Sequence, residues 1–183
     1  MMKKMRGFTL IEMLIVVAII GILAALLIPN ALEAIQKAKQ KSAMKEISTM
    51  ATAGIDYITD HGDWSALGAA SGPLTSASAF VTSVATFYIK VIPLADPWNM
   101  PYEVGLGTGV NNYLTAAQDV GDDDICVVSY GRDKTDGPIG GGDYDTAAPD
   151  AGRYNVSSMG DFDNDLINWN GSWIIGPRTT VGT

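Results

Sequence analysis

The chain has 183 residues, 47% of them hydrophobic and 17% charged, with a formal net charge of -8. That apolar content is enough for one buried core with an extension to spare, which excludes an intrinsically disordered chain. Three of the twelve basic residues, Lys3, Lys4 and Arg6, stand in the first seven positions, leaving nine basic against twenty acidic residues in the remainder. So acidic a body excludes nucleic acid as a partner, because phosphate binding needs clustered Lys and Arg, and it favours divalent cations instead.

Cys126 is the single cysteine and His61 the single histidine, so neither an intramolecular disulfide nor a thiolate and imidazole zinc site can form. In the apolar run Ile125-Cys126-Val127-Val128 the thiol is expected to be a buried strand residue and not a reactive one. An exported domain of this kind lacks a covalent staple, and its loops need some other tie.

Phe8 to Ile28 is an almost unbroken apolar stretch, FTLIEMLIVVAIIGILAALLI. At about 1.5 Å per residue it can cross a bilayer core of about 30 Å. The basic leader should stay cytoplasmic, which delivers the C-terminal part across the membrane. A secretory signal peptide would have a shorter apolar run and an A-x-A-like cleavage site; Ala24-Ala25-Leu26 is a poor candidate for one, and the helical pattern continues beyond it. Glu12 is the exception within the stretch. A carboxylate there costs a few kcal/mol unless partnered, so it calls for a functional explanation.

Arg6-Gly7-Phe8-Thr9-Leu10-Ile11-Glu12 closely resembles the prepilin processing motif of type IV pilins and type II secretion pseudopilins. The resemblance implies cutting after Gly7 by a prepilin peptidase, N-methylation of the new terminal Phe8, and retention of the apolar segment as an assembly helix. It also implies that Glu12 pairs with the terminal amine of a neighbouring subunit, two opposite charges satisfying one another in an apolar fibre core. Pro29 falls where many members of that family carry a helix-kinking proline.

Beyond Pro29 the apolar positions Ala31, Ile35, Ala38, Ile47, Met50, Gly54 and Ile58 recur mostly at steps of three or four among lysines, which predicts a continuing amphipathic helix. A helix from Phe8 to about Thr59 would reach roughly 80 Å, more than one small domain can cover. Its first half therefore needs lipid or other subunits. Asp60-His61-Gly62-Asp63 should end it, with His61 as a solvated cap, and the Gly-, Ser- and Ala-rich stretch after it reads as a loop with a short helix.

Tyr88 to Tyr102, with Pro93, Pro97 and Pro101, is similar to a signature of the major pseudopilin of type II secretion. The prolines stiffen a turn that Trp98 and Tyr102 can clamp to the helix, a structural role. Tyr102-Val104, Ile125-Val128 and Ser172-Ile175 are β-prone runs separated by Gly, Asn and Asp, which predicts a small antiparallel sheet. The fold expected is α+β: a long N-terminal helix, transmembrane in its first half, packed on that sheet in a ladle-like arrangement.

Two acidic segments follow the second β-prone run, Ser129 to Gly137 and Gly160 to Trp169. Calcium takes six to eight oxygens, and closely spaced Asp and Asn with turn carbonyls can supply them, although neither segment is an EF-hand. On spacing alone, solvated acidic turns explain the pattern equally well. Major pseudopilins end in a similar pair of segments that bind one structural calcium. The resemblance implies carbonyl ligands from Tyr130 and Thr135 and carboxylates from Asp133, Asp163 and Asp165. A longer connection than the family's separates the segments, so Asp136, Asp143 and Asp161 are possible additions.

The chain is thus identified as a member of the type IV pilin-like, major pseudopilin family. Residues 1–7 are the cleaved leader, 8–60 the long helix with 8–28 as transmembrane and assembly segment, and 61–183 a periplasmic β-domain with calcium loops. The function implied is that of a structural subunit, anchored once in the inner membrane with its C-terminal domain in the periplasm, that polymerises with itself into a periplasmic pseudopilus driving export of folded proteins by type II secretion, the assembled filament lying in the periplasm or at the cell surface. Its other partners would be minor pseudopilins and an inner-membrane assembly platform. A type IV pilus subunit is the alternative. A membrane-anchored hydrolase is remote, since no H-E-x-x-H, G-x-S-x-G or P-loop pattern is present.

Overall fold

The computed structural model describes residues 7–62, 64, 71–114, 120–137, 140, 142, 144–145 and 147–178. The basic leader through Arg6, Asp63, Gly141 and Asp143 lie outside the described residues. Helix α1 (Leu10–His61) spans 52 residues and ends where the Gly62 N–H donates to the Ile58 carbonyl at 2.7 Å. The chain divides into two compact units, residues up to Gln36 and residues from Lys37 on.

In the first unit no described residue is buried. Its apolar side chains stand open, Leu10 at 83% and Leu27 at 70% exposure. The most apolar 18-residue window has a mean hydropathy of 3.0 and is long enough to cross a membrane.

In the second unit α1 buries Gln40, Ala43, Ile47, Met50, Gly54, Tyr57 and Ile58, the three- and four-residue steps that place one stripe on one face. The sheet comprises β1 (Ser71–Pro73), β2 (Glu103–Leu106), β3 (Ile125–Ser129), β4 (Arg153–Tyr154), β5 (Leu166–Trp169) and β6 (Ser172–Pro177). Their order is β1-β2-β3-β5-β6-β4. All pairings are antiparallel except β4 with β6, an edge contact made across a long loop that local pattern does not announce. The short helix expected in the loop after α1 is α2 (Ala79–Val84).

Alternation on the strands splits the core in two. Val104, Leu106, Ile125, Val127 and Leu166 join the α1 stripe with Trp64, Phe80 and Trp98. Cys126, Val128, Ile167, Ile174 and Tyr154 form the second cluster on the other face. Cys126 is fully buried, and burial pushes its thiol up to about 12, an unreactive group. Gly54 faces the β3 side chain of Ile125 closely: a Cβ there would run into Ile125 and stand 3.3 Å from Phe80.

The proline-rich segment is anchored from inside. The Asp96 carboxylate, 5% exposed, accepts the N–H groups of Trp98 at 3.0 Å and Met100 at 2.9 Å and the Ser129 hydroxyl at 2.7 Å. Tyr102 is fully buried and donates to Glu46 of α1 at 2.8 Å, so the segment is fastened to both strand and helix.

Candidate functional site

Residues 7–9, which lead into α1, are open to solvent. Phe8 is 77% exposed, and among the described residues no atom beyond the chain neighbours would come within 4 Å of a Cβ on Gly7. Glu12 has a local role that the processing motif did not suggest. Its Oε2 accepts the Thr9 N–H at 2.8 Å and the Thr9 hydroxyl at 2.7 Å, while Thr9 Oγ1 accepts the Glu12 N–H at 3.4 Å. This is a capping box, legible in the Thr9-x-x-Glu12 spacing. A carboxylate has about four acceptor positions, so capping leaves Glu12 with acceptor capacity to spare.

The acidic segments meet beside β3 and β5, and their side chains are already differently engaged. Asp163 forms a two-bond fork with Arg132, at 2.7 Å to Nε and 2.8 Å to Nη2. Asp133 turns back on its own loop, accepting the Thr135 N–H at 3.2 Å and hydroxyl at 2.9 Å. Tyr130 directs its hydroxyl to Glu103 at 3.2 Å. Asp161 caps the 3-10 turn Met159–Asp163 by accepting the N–H groups of Ser157 at 2.7 Å and Ser158 at 2.6 Å, bonds that hold its carboxyl below the usual range.

Asp165 is the buried member, 1% exposed. Its Oδ1 accepts the Gly137 N–H at 3.0 Å, but among the described residues no N–H or O–H donor reaches Oδ2. What faces it is the Asp136 carboxylate. Burial first, and Asp136 second, push the Asp165 carboxyl up to about 8. A buried carboxylate with an orphaned oxygen and an acidic neighbour suits a hard cation, which answers both charges without a proton. Among the described residues no group of three or more His, Cys, Asp or Glu side chains converges on one point, so carbonyls and water would complete any shell. The structure thus brings Asp165 and Asp136 together and places Asp163 and Asp133 against other partners.

The loop is also wired to α1. Gln40, 5% exposed, donates to the Tyr154 hydroxyl at 3.2 Å, which donates to the Asp165 carbonyl at 3.4 Å. Nothing in the local sequence pattern connects residues so far apart.

Residues 2–28 match the family model of the prokaryotic N-terminal methylation motif. The chain is 34% identical over 103 residues to the type II secretion system core protein G of Escherichia coli (strain K12), covering 54% of this chain and 70% of the relative. It is 32% identical over 172 residues to the type II secretion system core protein G of Vibrio cholerae, covering 86% of this chain and 99% of the relative. The type IV major pilin protein PilA of Myxococcus xanthus is 47% identical over 55 residues, which is 30% of this chain and 25% of the relative. No solved structure matches the chain significantly. A processing motif ahead of an exposed apolar helix, a pilin-like α+β fold and a likeness running the length of the Vibrio relative agree: the chain belongs to the type II secretion system core protein G family of pilin-like major pseudopilins.

Proposed function

We propose that this pseudopilin is cut between Gly7 and Phe8 by a prepilin peptidase and polymerises through the first unit of α1 into a periplasmic filament that drives protein export. The observation that carries this reading is the bare apolar helix. From Leu10 to Gln36 not one residue is buried, and at about 25 cal/mol per Å² of apolar surface such a stretch is stable only in lipid or against copies of itself. Glu12 gives the packing a register, since its charge is satisfied in an apolar environment only where a neighbour's terminal amine meets it.

One structural calcium between the segments at 130–137 and 161–165 accompanies this reading. Tyr130, Asp133, Thr135, Asp163 and Asp165 are the expected ligands, and the orphaned Asp165 Oδ2 supports a cation there. The ion would hold the two loops together in a domain whose single cysteine allows no disulfide. The match to a type IV major pilin favours a surface pilus as the second reading. Retraction ATPase genes beside this one would select it, whereas a secretin and minor pseudopilins would select secretion.

The test is filament assembly in cells that carry the remaining secretion components. Overproduced wild-type protein should give filaments in sheared material under the electron microscope. Glu12→Ala should insert in the membrane normally yet yield few filaments, with partial rescue by wild type. Wild-type filament yield from Glu12→Ala alone refutes the pairing.

A further inference from the structure

The second unit carries opposite charges at the two ends of its stretch of α1. Over residues 37–45 the helix has four lysines, Lys37, Lys39, Lys41 and Lys45, and no acidic residue, whereas over residues 47–61 its charged groups are Asp56 and Asp60. Glu46, between the two, accepts from Tyr102 at 2.8 Å and from Ser42 at 3.0 Å. A turn at 121–124 joins the acidic end, because Trp64, just past α1, donates its N–H to the Asp122 carbonyl at 3.1 Å. Asp122 and Asp123 are exposed on that turn. The buried Asp124 ties it down: its carboxylate accepts the Gly121 N–H at 2.7 Å and the Asn170 amide, and its carbonyl accepts the Gly107 N–H at 2.8 Å.

The basic end is hollow. The exposed Lys37, Lys41 and Arg178 and the half-buried Met44, Val156 and Pro177 line a cavity of about 450 Å³. Arg178 is aimed by an Nε bond to the Arg153 carbonyl at 3.0 Å, and its other nitrogens rest on Asp150, at 3.1 Å to both carboxylate and carbonyl. With 81% of the Asp150 side chain exposed, that pair is weak and exchangeable. Three cationic side chains around apolar walls, on a chain of net charge -8, suit an anionic partner, since walls that keep water off strengthen each ion pair formed there.

The chain itself supplies the matching anion, but no copy can use its own. Lys41 and His61 are 20 residues apart on one helix, about 30 Å at 1.5 Å per residue, and the acidic turn lies beyond His61. Turn and groove meet only head to tail between copies, the kind of contact that builds open filaments. Resting on the filament reading above, we propose that the groove at Lys37, Lys41 and Arg178 receives the acidic turn of a second copy, with Asp122 and Asp123 entering between the three cations. Apolar burial is non-directional, so the bare helix alone fixes poorly how far one subunit is displaced from another along the fibre. A charged turn seated in a charged groove fixes that displacement.

Charge reversal in filaments of the full chain, assembled in cells with the remaining secretion components, tests the contact. Lys41→Glu with Arg178→Glu, and separately Asp122→Lys with Asp123→Lys, should each cut filament yield at least about fivefold, because like charges then face one another. Combining all four changes should restore the yield to within about twofold of wild type. A second measurement needs no variant: carbodiimide, which joins a carboxylate to an amine it touches, should link Asp122 or Asp123 to Lys37 or Lys41 in wild-type filaments, found as a joined peptide by mass spectrometry. Wild-type protein that makes no filaments overturns the filament reading and the contact with it. Wild-type filaments that cross-link elsewhere but never between turn and groove overturn the contact alone. So does a yield that either reversal leaves unchanged. A groove defect that the reversed turn does not rescue likewise overturns it, and assigns the groove to another anion such as a lipid headgroup.

Discussion

Replacing Asp96 by alanine should be among the most damaging single changes in the second unit. Its carboxylate is the common acceptor for two backbone N–H groups of a proline-stiffened turn and for the buried Ser129 hydroxyl. Alanine leaves those donors in a place that water reaches poorly: Trp98 is 7% exposed and Ser129 fully buried. A buried donor without a partner costs about 1–3 kcal/mol, and the three share one acceptor, so their losses overlap into a total of about 4 kcal/mol. Against a stability of about 5–15 kcal/mol this is a large fraction. For a unit of this size it corresponds to a fall of about 10 °C in melting temperature. Asp96→Asn keeps a side-chain oxygen for the N–H groups and should lose about half as much. The assay is thermal unfolding by circular dichroism of the chain from Lys37 onward, which retains every buried residue among those described, at a fixed calcium concentration. A melting temperature for Asp96→Ala within about 3 °C of wild type would refute the anchoring role.

Mass spectrometry of membrane-extracted protein should find a mature chain starting at N-methylated Phe8, and Gly7→Leu should block that maturation; full processing of Gly7→Leu excludes the cleavage site. In the wild-type second unit, calcium at a hundredfold excess over its dissociation constant should add about 2.7 kcal/mol of stability, and Asp165→Ala should abolish the effect while Asp60→Ala leaves it intact. Identical melting curves in calcium and in chelator would eliminate the metal. Gly54→Leu should destabilise the same unit by about 3 kcal/mol, because the added side chain meets Ile125, Phe80 and Trp64 in a packed core. A stable Gly54→Leu protein would mean that α1 and β3 are less closely packed than described.

The helix, its apolar first half and its stop near His61 were legible in the sequence because each depends on neighbours within a few residues: a run of apolar side chains, a three- and four-residue stripe, a glycine after the last turn. Three strands were legible for the same reason, as apolar runs between turn residues. The β5–β6 hairpin closes at Asn170-Gly171 with φ of 47° and 81°, a two-residue turn whose chemistry stands in the sequence. Three strands escaped: β1 lies in a Gly- and Ser-rich stretch that reads as loop, β5 reads as the end of the second acidic segment, and β4 is a two-residue edge strand with no period to read, whose parallel partner is twenty-odd residues away.

The acidic segments mark the boundary between the two kinds of knowledge. Composition and spacing by themselves determined that oxygen-rich loops lie after β3 and before β5, and that no disulfide could tie them. They could not determine which carboxylate meets which partner, because Arg132 and Asp163, or Asp136 and Asp165, are neighbours only once β3 and β5 pair in register. Likewise Asp96 looked like one more turn residue until folding brought Ser129 against it. Charges and hydrogen bonds act over a few ångströms, so contacts between residues near in sequence are written in the sequence itself. Which distant groups come within that range is decided by the sheet and by the helix packed on it.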